Sequence, residues 1–159
     1  IINLIGYIDN IEYKKTNFRN IIKSLKINAI VPILIISYLI KAMLKNKWGR
    51  ILNCSSIGVK FGGGSNTYNY SLSKHCLEFI PSTYKKWAKK NVLINNIRIG
   101  VCNTKIHRKI TNKNLNKRIK LIPIGRMSEP IEIAKFVISL TTDNNTYITG
   151  QTINISGGE

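Results

Sequence analysis

Tyr70 and Lys74 stand four residues apart, so on a helix they share one face, one turn apart. A lysine ammonium beside a phenol favours the phenolate and draws the tyrosine pKa down from about 10 toward neutrality, which suits a general acid or base. Ser56 ends the run RILNCSS (50–56), which reads as a strand of a parallel sheet, and such strands deliver their last residues to a ligand crevice. The glycines at 62–64 let the connecting loop fold back, so that the Ser56 and Tyr70 hydroxyls can face one reacting oxygen. With 7 tyrosines in a lysine-rich chain a Tyr-x-x-x-Lys match also arises by chance, and the flanking segments must decide.

They agree with it. Ser56 and Tyr70-x-x-x-Lys74 on a strand, loop and helix resemble the classical short-chain dehydrogenase/reductase family, and the likeness extends to both ends of the chain. Asn28 in KINAI resembles the family's catalytic asparagine, and Asn3 and Gly6 are the two positions of NLIG (3–6) that match the family's Asn-Asn-Ala-Gly strand. NVLINNIRIGVCNT (91–104) resembles the segment that cradles the nicotinamide, with Gly100 at its turn and Thr104 at the carboxamide-binding position. The stretch from Gly125 to Gly158 resembles the family's C-terminal helix and last strand.

The resemblance implies an α/β fold, the C-terminal part of a Rossmann-type doubly wound parallel sheet with about four strands and flanking helices. It implies a single partial domain over 1–159, short of the family's N-terminal strand–helix units, and no G-x-G-x-x-G turn occurs in the sequence. The implied activity is interconversion of a carbonyl and an alcohol with NAD or NADP. Tyr70 would be the proton donor or acceptor, Ser56 would hold the substrate oxygen, and Lys74 would bind the nicotinamide ribose. Asn3, Gly6, Tyr70, Lys74, Gly100 and Thr104 would contact the cofactor. Two alternatives stay open: a 3-oxoacyl-[acyl-carrier-protein] reductase-like enzyme, and a catalytically inactive remnant acting as a basic binding module.

Composition narrows the partners. The net charge of +18 suggests nucleic acid or an anionic membrane. The lysines are scattered, however, and accompany a surplus of Ile and Asn, a bias that AT-rich coding sequence imposes on any protein. One basic cluster, 104–120, reads as a solvated face or substrate lid that could attract an anionic substrate or an acidic carrier protein; no aromatics interleave it as base stacking would require. Cys54, Cys76 and Cys102 lack metal-ligand spacing, so no metal is expected, and a reducing cytoplasm is.

Strands are expected near 1–5, 50–55, 92–99 and 152–156, with a long helix over 17–46 broken at Pro32 and another over 67–90 kinked by Pro81 near Leu77. A third should open at Pro130 with Ser128 or Glu129 as cap. The apolar stretch INAIVPILIISYLI is shorter than a membrane span and carries Asn28 and Pro32. It is expected between the sheet and a partner subunit, which implies a homodimer or homotetramer. Pro32 would also deny the Asn28 carbonyl its helical N–H donor, leaving it free to hold a water of the family's proton relay.

Overall fold

The structure is a computed structural model and describes residues 1–106 and 114–159. Four parallel strands lie in the order of the chain: β1 (Ile2–Asn3), β2 (Gly49–Ser56), β3 (Val92–Ile99) and β4 (Thr152–Ile155). The two central strands are near-continuously buried, as a parallel sheet covered on both faces requires. On one face Ile51, Val92 and Ile94 pack with Ile36, Met43 and Trp87; on the other Leu52, Cys54 and Ile97 pack with Ile133, Val137 and Leu140.

Asn17 caps α1 (Phe18–Leu25) by accepting from the Asn20 amide. A wide turn over Lys26–Ile30 leads straight into α2 (Val31–Asn46), so the expected break at Pro32 is instead one continuous helix. Val31 donates to the Lys26 carbonyl five residues back. The donor missing at Pro32 is thus accommodated beside a π-type turn. The helix spans Phe18–Asn46, 29 residues, which is long and apolar enough to cross a membrane and corrects the length argument made from sequence. Its inner side is nonetheless occupied, since Ser24, Asn28, Pro32 and Ile36 are all buried.

Residues 67–90, expected as one kinked helix, form two: α3 (Tyr68–Leu77) and α4 (Tyr84–Ala88). Pro81 lacks an amide and its ring collides with the carbonyl four residues back, that of Leu77, where α3 ends. Thr67 is the residue before α3, and its Oγ1 accepts from the Gly64 amide instead of capping the helix. Helix α5 (Leu115–Ile119) lies in the basic segment, whose centre, 107–113, is outside the described residues. Helix α6 (Pro130–Thr141) starts with a Glu129/Glu132 capping box.

A row of buried amides crosses the sheet beneath α3. Asn3 donates to Asn53 at 2.8 Å, Asn53 to Asn96 at 3.0 Å, and Asn96 to the Thr152 hydroxyl at 3.1 Å. These are the in-register partners of the four strands. The row also holds the end of α3, because Asn53 donates to the Leu77 carbonyl at 3.4 Å and Asn96 to that of Glu78 at 2.8 Å.

Candidate active site

The last residue of β2 and the face of α3 that looks onto the sheet converge on a cleft of about 1130 Å³. Ser56, Tyr70, Lys74, Gly6, Gly100 and Thr104 all line it. Ser56 Oγ accepts from the Gly58 amide at 3.1 Å, and its hydroxyl favours ionisation of the Tyr70 phenol, which lines the same cleft. The bond to Gly58 follows from the turn: β2 breaks into a short 3₁₀ segment at Ile57, and Ser56 caps it.

Lys74 is only 2% exposed, yet its ammonium has two backbone acceptors, the carbonyls of Ile5 at 2.6 Å and of Cys54 at 2.7 Å. Burial lowers its pKa to about 8, the neighbouring Cys54 opposing that, while burial pushes the Cys54 thiol up to about 11. Tyr70 departs from the sequence expectation. Burial raises its pKa above the ordinary 10.0, against a lowering by the Ser56 hydroxyl. The lysine nitrogen sits 5.9 Å from the ring centroid and is committed to two carbonyls, so its charge does not overcome the loss of solvent.

Asn28 is fully buried behind this pair. Its side chain accepts from the Tyr7 amide at 2.7 Å and donates to the Tyr7 carbonyl at 2.8 Å and to Ser73 Oγ at 2.9 Å. Ser73 in turn donates to the Tyr70 carbonyl at 2.7 Å, so Asn28 braces the turn of α3 that carries Tyr70. Asn3, expected against the cofactor, is not among the cleft-lining residues. Its amide nitrogen is engaged in the sheet by Asn53, and the adjoining cleft wall is built from Leu4, Gly6 and Ile8.

The cleft suits the nicotinamide end of a dinucleotide. A Cβ on Gly6 would lie 3.7 Å from Ile106 and 3.9 Å from the Tyr70 ring, filling the space over the phenol. Gly100 lines the cleft for another reason: a Cβ there would come within 2.6 Å of Ser156 Cα, so the glycine is set by packing against the end of β4. Sequence reasoning missed Glu78, which falls on the Tyr70–Lys74 stripe one turn further on; the four-residue spacing could have found it.

A family model described as enoyl-(acyl carrier protein) reductase matches residues 1–159. The chain is 36% identical over 135 residues to the 3-oxoacyl-[acyl-carrier-protein] reductase FabG of Aquifex aeolicus, covering 84% of this chain and 54% of that protein. It is 40% identical over 119 residues to the acetoacetyl-CoA reductase of Shinella zoogloeoides, covering 74% and 49%. The chain thus spans about half the length of these curated relatives. Among solved structures, a 3-oxoacyl (acyl-carrier-protein) reductase from Agrobacterium tumefaciens with NADP bound superposes with a TM-score of 0.86 at 21% identity, over 99% of this chain and 63% of that one. The TT0495 protein of Thermus thermophilus gives 0.89 at 24% identity, over 99% and 67%.

Proposed function

The chain belongs to the short-chain dehydrogenase/reductase family, and from that premise we propose that it carries the proton-transfer half of an NAD(P)-dependent reductase that interconverts a carbonyl and an alcohol. The observation that carries this reading is the convergence of Ser56, Tyr70 and Lys74 on one cleft. A nicotinamide cofactor bound there supplies the hydride. Gly6, Lys74, Gly100 and Thr104 are the residues placed to hold its nicotinamide end.

Tyr70 delivers the proton to the substrate oxygen. A phenol whose pKa is raised by burial keeps that proton until charge develops on the oxygen beside it. Ser56 donates a hydrogen bond to the same oxygen and stabilises the developing charge, its other side being fixed by the Gly58 amide. Lys74 is held by its bonds to the carbonyls of Ile5, just past β1, and Cys54 on β2; there it would bind the ribose of a nicotinamide cofactor, and its charge favours the tyrosinate left after transfer.

For the substrate we favour a 3-oxoacyl thioester on coenzyme A or an acidic carrier protein. The names of the relatives support it, as do the basic composition of 104–120 and the place of Arg118 in the cleft lining. We also assign a second copy of the chain to the outer face of the long helix, where Ile33, Leu34 and Tyr38 are 44, 60 and 83% exposed. We read the assembled protein as a homo-oligomer and, from its likeness to the acyl-thioester reductases, as cytoplasmic.

The test is Tyr70→Phe in the full gene product, assayed for NAD(P)H oxidation with a 3-oxoacyl thioester. Turnover should vanish while cofactor binding stays close to wild type. Retention of more than about a tenth of the activity, about 1.4 kcal/mol of barrier, would remove Tyr70 from the role of proton donor.

A further inference from the structure

Tyr70, Lys74 and Glu78 occupy successive turns of one helical stripe. The first two reach the cleft. The third does not, and its side chain is only 7% exposed. In a chain with 7 acidic residues against 25 lysines and arginines, this carboxylate is committed to the interior, four residues from Lys74.

Its partners are specific. Oε1 accepts from Ser55 Oγ at 2.6 Å and from Arg98 Nε at 2.8 Å, and Oε2 accepts from Arg98 Nη2 at 2.7 Å. Ser55 and Arg98 are direct neighbours across β2 and β3. Ser55 is the residue before Ser56, and its hydroxyl also lies 3.5 Å from the Lys74 carbonyl. The Glu78 backbone is tied down as well, its carbonyl receiving the Asn96 amide at 2.8 Å.

We propose that Glu78 is a positioning residue for the reaction: its carboxylate clamps the end of α3 to the ends of β2 and β3 and so sets the separation of the Ser56 and Tyr70 hydroxyls. The proposal rests on the reading of Tyr70 as proton donor given above. Stability alone does not account for the clamp, because a largely buried ion pair can usually be replaced by apolar side chains without loss. What apolar side chains cannot provide is a directional bond to Ser55, one peptide from the hydroxyl that must meet the substrate oxygen. Displacements on the order of 1 Å at such a site cost up to ~10²-fold in rate.

Two variants test this in the full gene product. Glu78→Gln removes the charge, and Ser55→Ala removes only the hydroxyl, leaving the Glu78–Arg98 pair to preserve the fold. Each should lower kcat by about tenfold or more with KM within about twofold. The second readout is the titration of Tyr70, followed by NMR of protein labelled with carbon-13 at the tyrosine Cζ and assigned with Tyr70→Phe. Removing a negative charge from Glu78 favours the phenolate and by itself moves this titration down. Moving the Ser56 hydroxyl away from the phenol moves it up. An upward shift in both variants is therefore the signature of lost positioning. Unchanged kcat in both would overturn the proposal, as would a titration that falls in Glu78→Gln and stays put in Ser55→Ala. If the wild type turns over no carbonyl with NAD(P)H, the functional reading falls, and the direction of the Tyr70 shift still decides whether Glu78 sets the hydroxyl geometry.

Discussion

Replacing Lys74 by methionine should remove a pH dependence of folding stability that the buried ammonium imposes. Burial holds the Lys74 pKa at about 8 against an ordinary 10.5. At pH 7 the ammonium is therefore disfavoured in the folded chain by roughly 3 kcal/mol. Between about 8 and 10.5 the unfolded chain keeps this proton and the folded chain has released it. The unfolded state then binds more protons, so the Lys74 contribution to stability rises with pH across that window. Cys54 and Tyr70 act in the opposite sense at alkaline pH, because burial raises both and the folded chain retains protons that the unfolded chain loses. Both remain in the variant, so subtracting the two stability profiles leaves the lysine together with its smaller coupling to Cys54. The carbonyls of Ile5 and Cys54 lose a donor in Lys74→Met at every pH, a constant offset on the order of 1–3 kcal/mol each. Urea denaturation at intervals from about pH 7.5 to 10.5 should show the wild type gaining roughly 3 kcal/mol on the variant. Parallel profiles would refute the reasoning, since the ammonium would then cost the fold nothing.

Two further outcomes follow from the same geometry. Pro32→Ala restores an amide in the first turn of α2, directly after the wide turn, so that turn should tighten and thermal stability hold or rise. If the Asn28 carbonyl holds a relay water, turnover should fall several-fold with cofactor affinity unchanged; unchanged turnover would leave Asn28 with only its side-chain bracing of Tyr7 and Ser73. The 159-residue chain by itself should bind NAD(P)H weakly, because it holds residues for the nicotinamide end and no glycine-rich turn opening a helix onto the pyrophosphate. Micromolar binding by monodisperse chain in calorimetry would contradict that.

The strands are legible in the sequence because parallel strands buried on both faces read as apolar runs between turns; 92–99 coincides with Val92–Ile99, and 50–55 falls within Gly49–Ser56. The first strand reads too long. The strand ends at Asn3, and Leu4 and Ile5 are exposed. Pro81 is visible as a disturbance, but the distinction between a kink and a break depends on tertiary anchors, here the sheet amides and Glu78 holding the last turn of α3. Around Pro32 the outcome goes the other way, because a wide turn costs little where the helix packs continuously. The direction of the Tyr70 shift is illegible for a similar reason: sequence spacing brings a lysine near, but only the fold reveals that the lysine is already engaged and the phenol buried. Asn53 and Asn96 give no signal, since in an asparagine-rich chain the structural ones look like all the others.

That row of asparagines has a consequence for how the sheet comes to be aligned. Its rungs join residues 50, 43 and 56 positions apart, so no neighbouring segment can close one early. A strand that slips by one residue turns its amide to the opposite face and leaves the others buried without partners, at on the order of 1–3 kcal/mol for each group stranded. The row therefore acts as a gauge that accepts a single setting of all four strands and rejects near misses that the apolar packing would tolerate. Ser56 stands three residues above Asn53 on β2, about 10 Å at strand rise. Leu77, on which Asn53 closes, lies three residues beyond Lys74. The spacing of the reacting groups is thus dimensioned from below, and a folding error of one residue in any strand would be registered there before it reached the cleft.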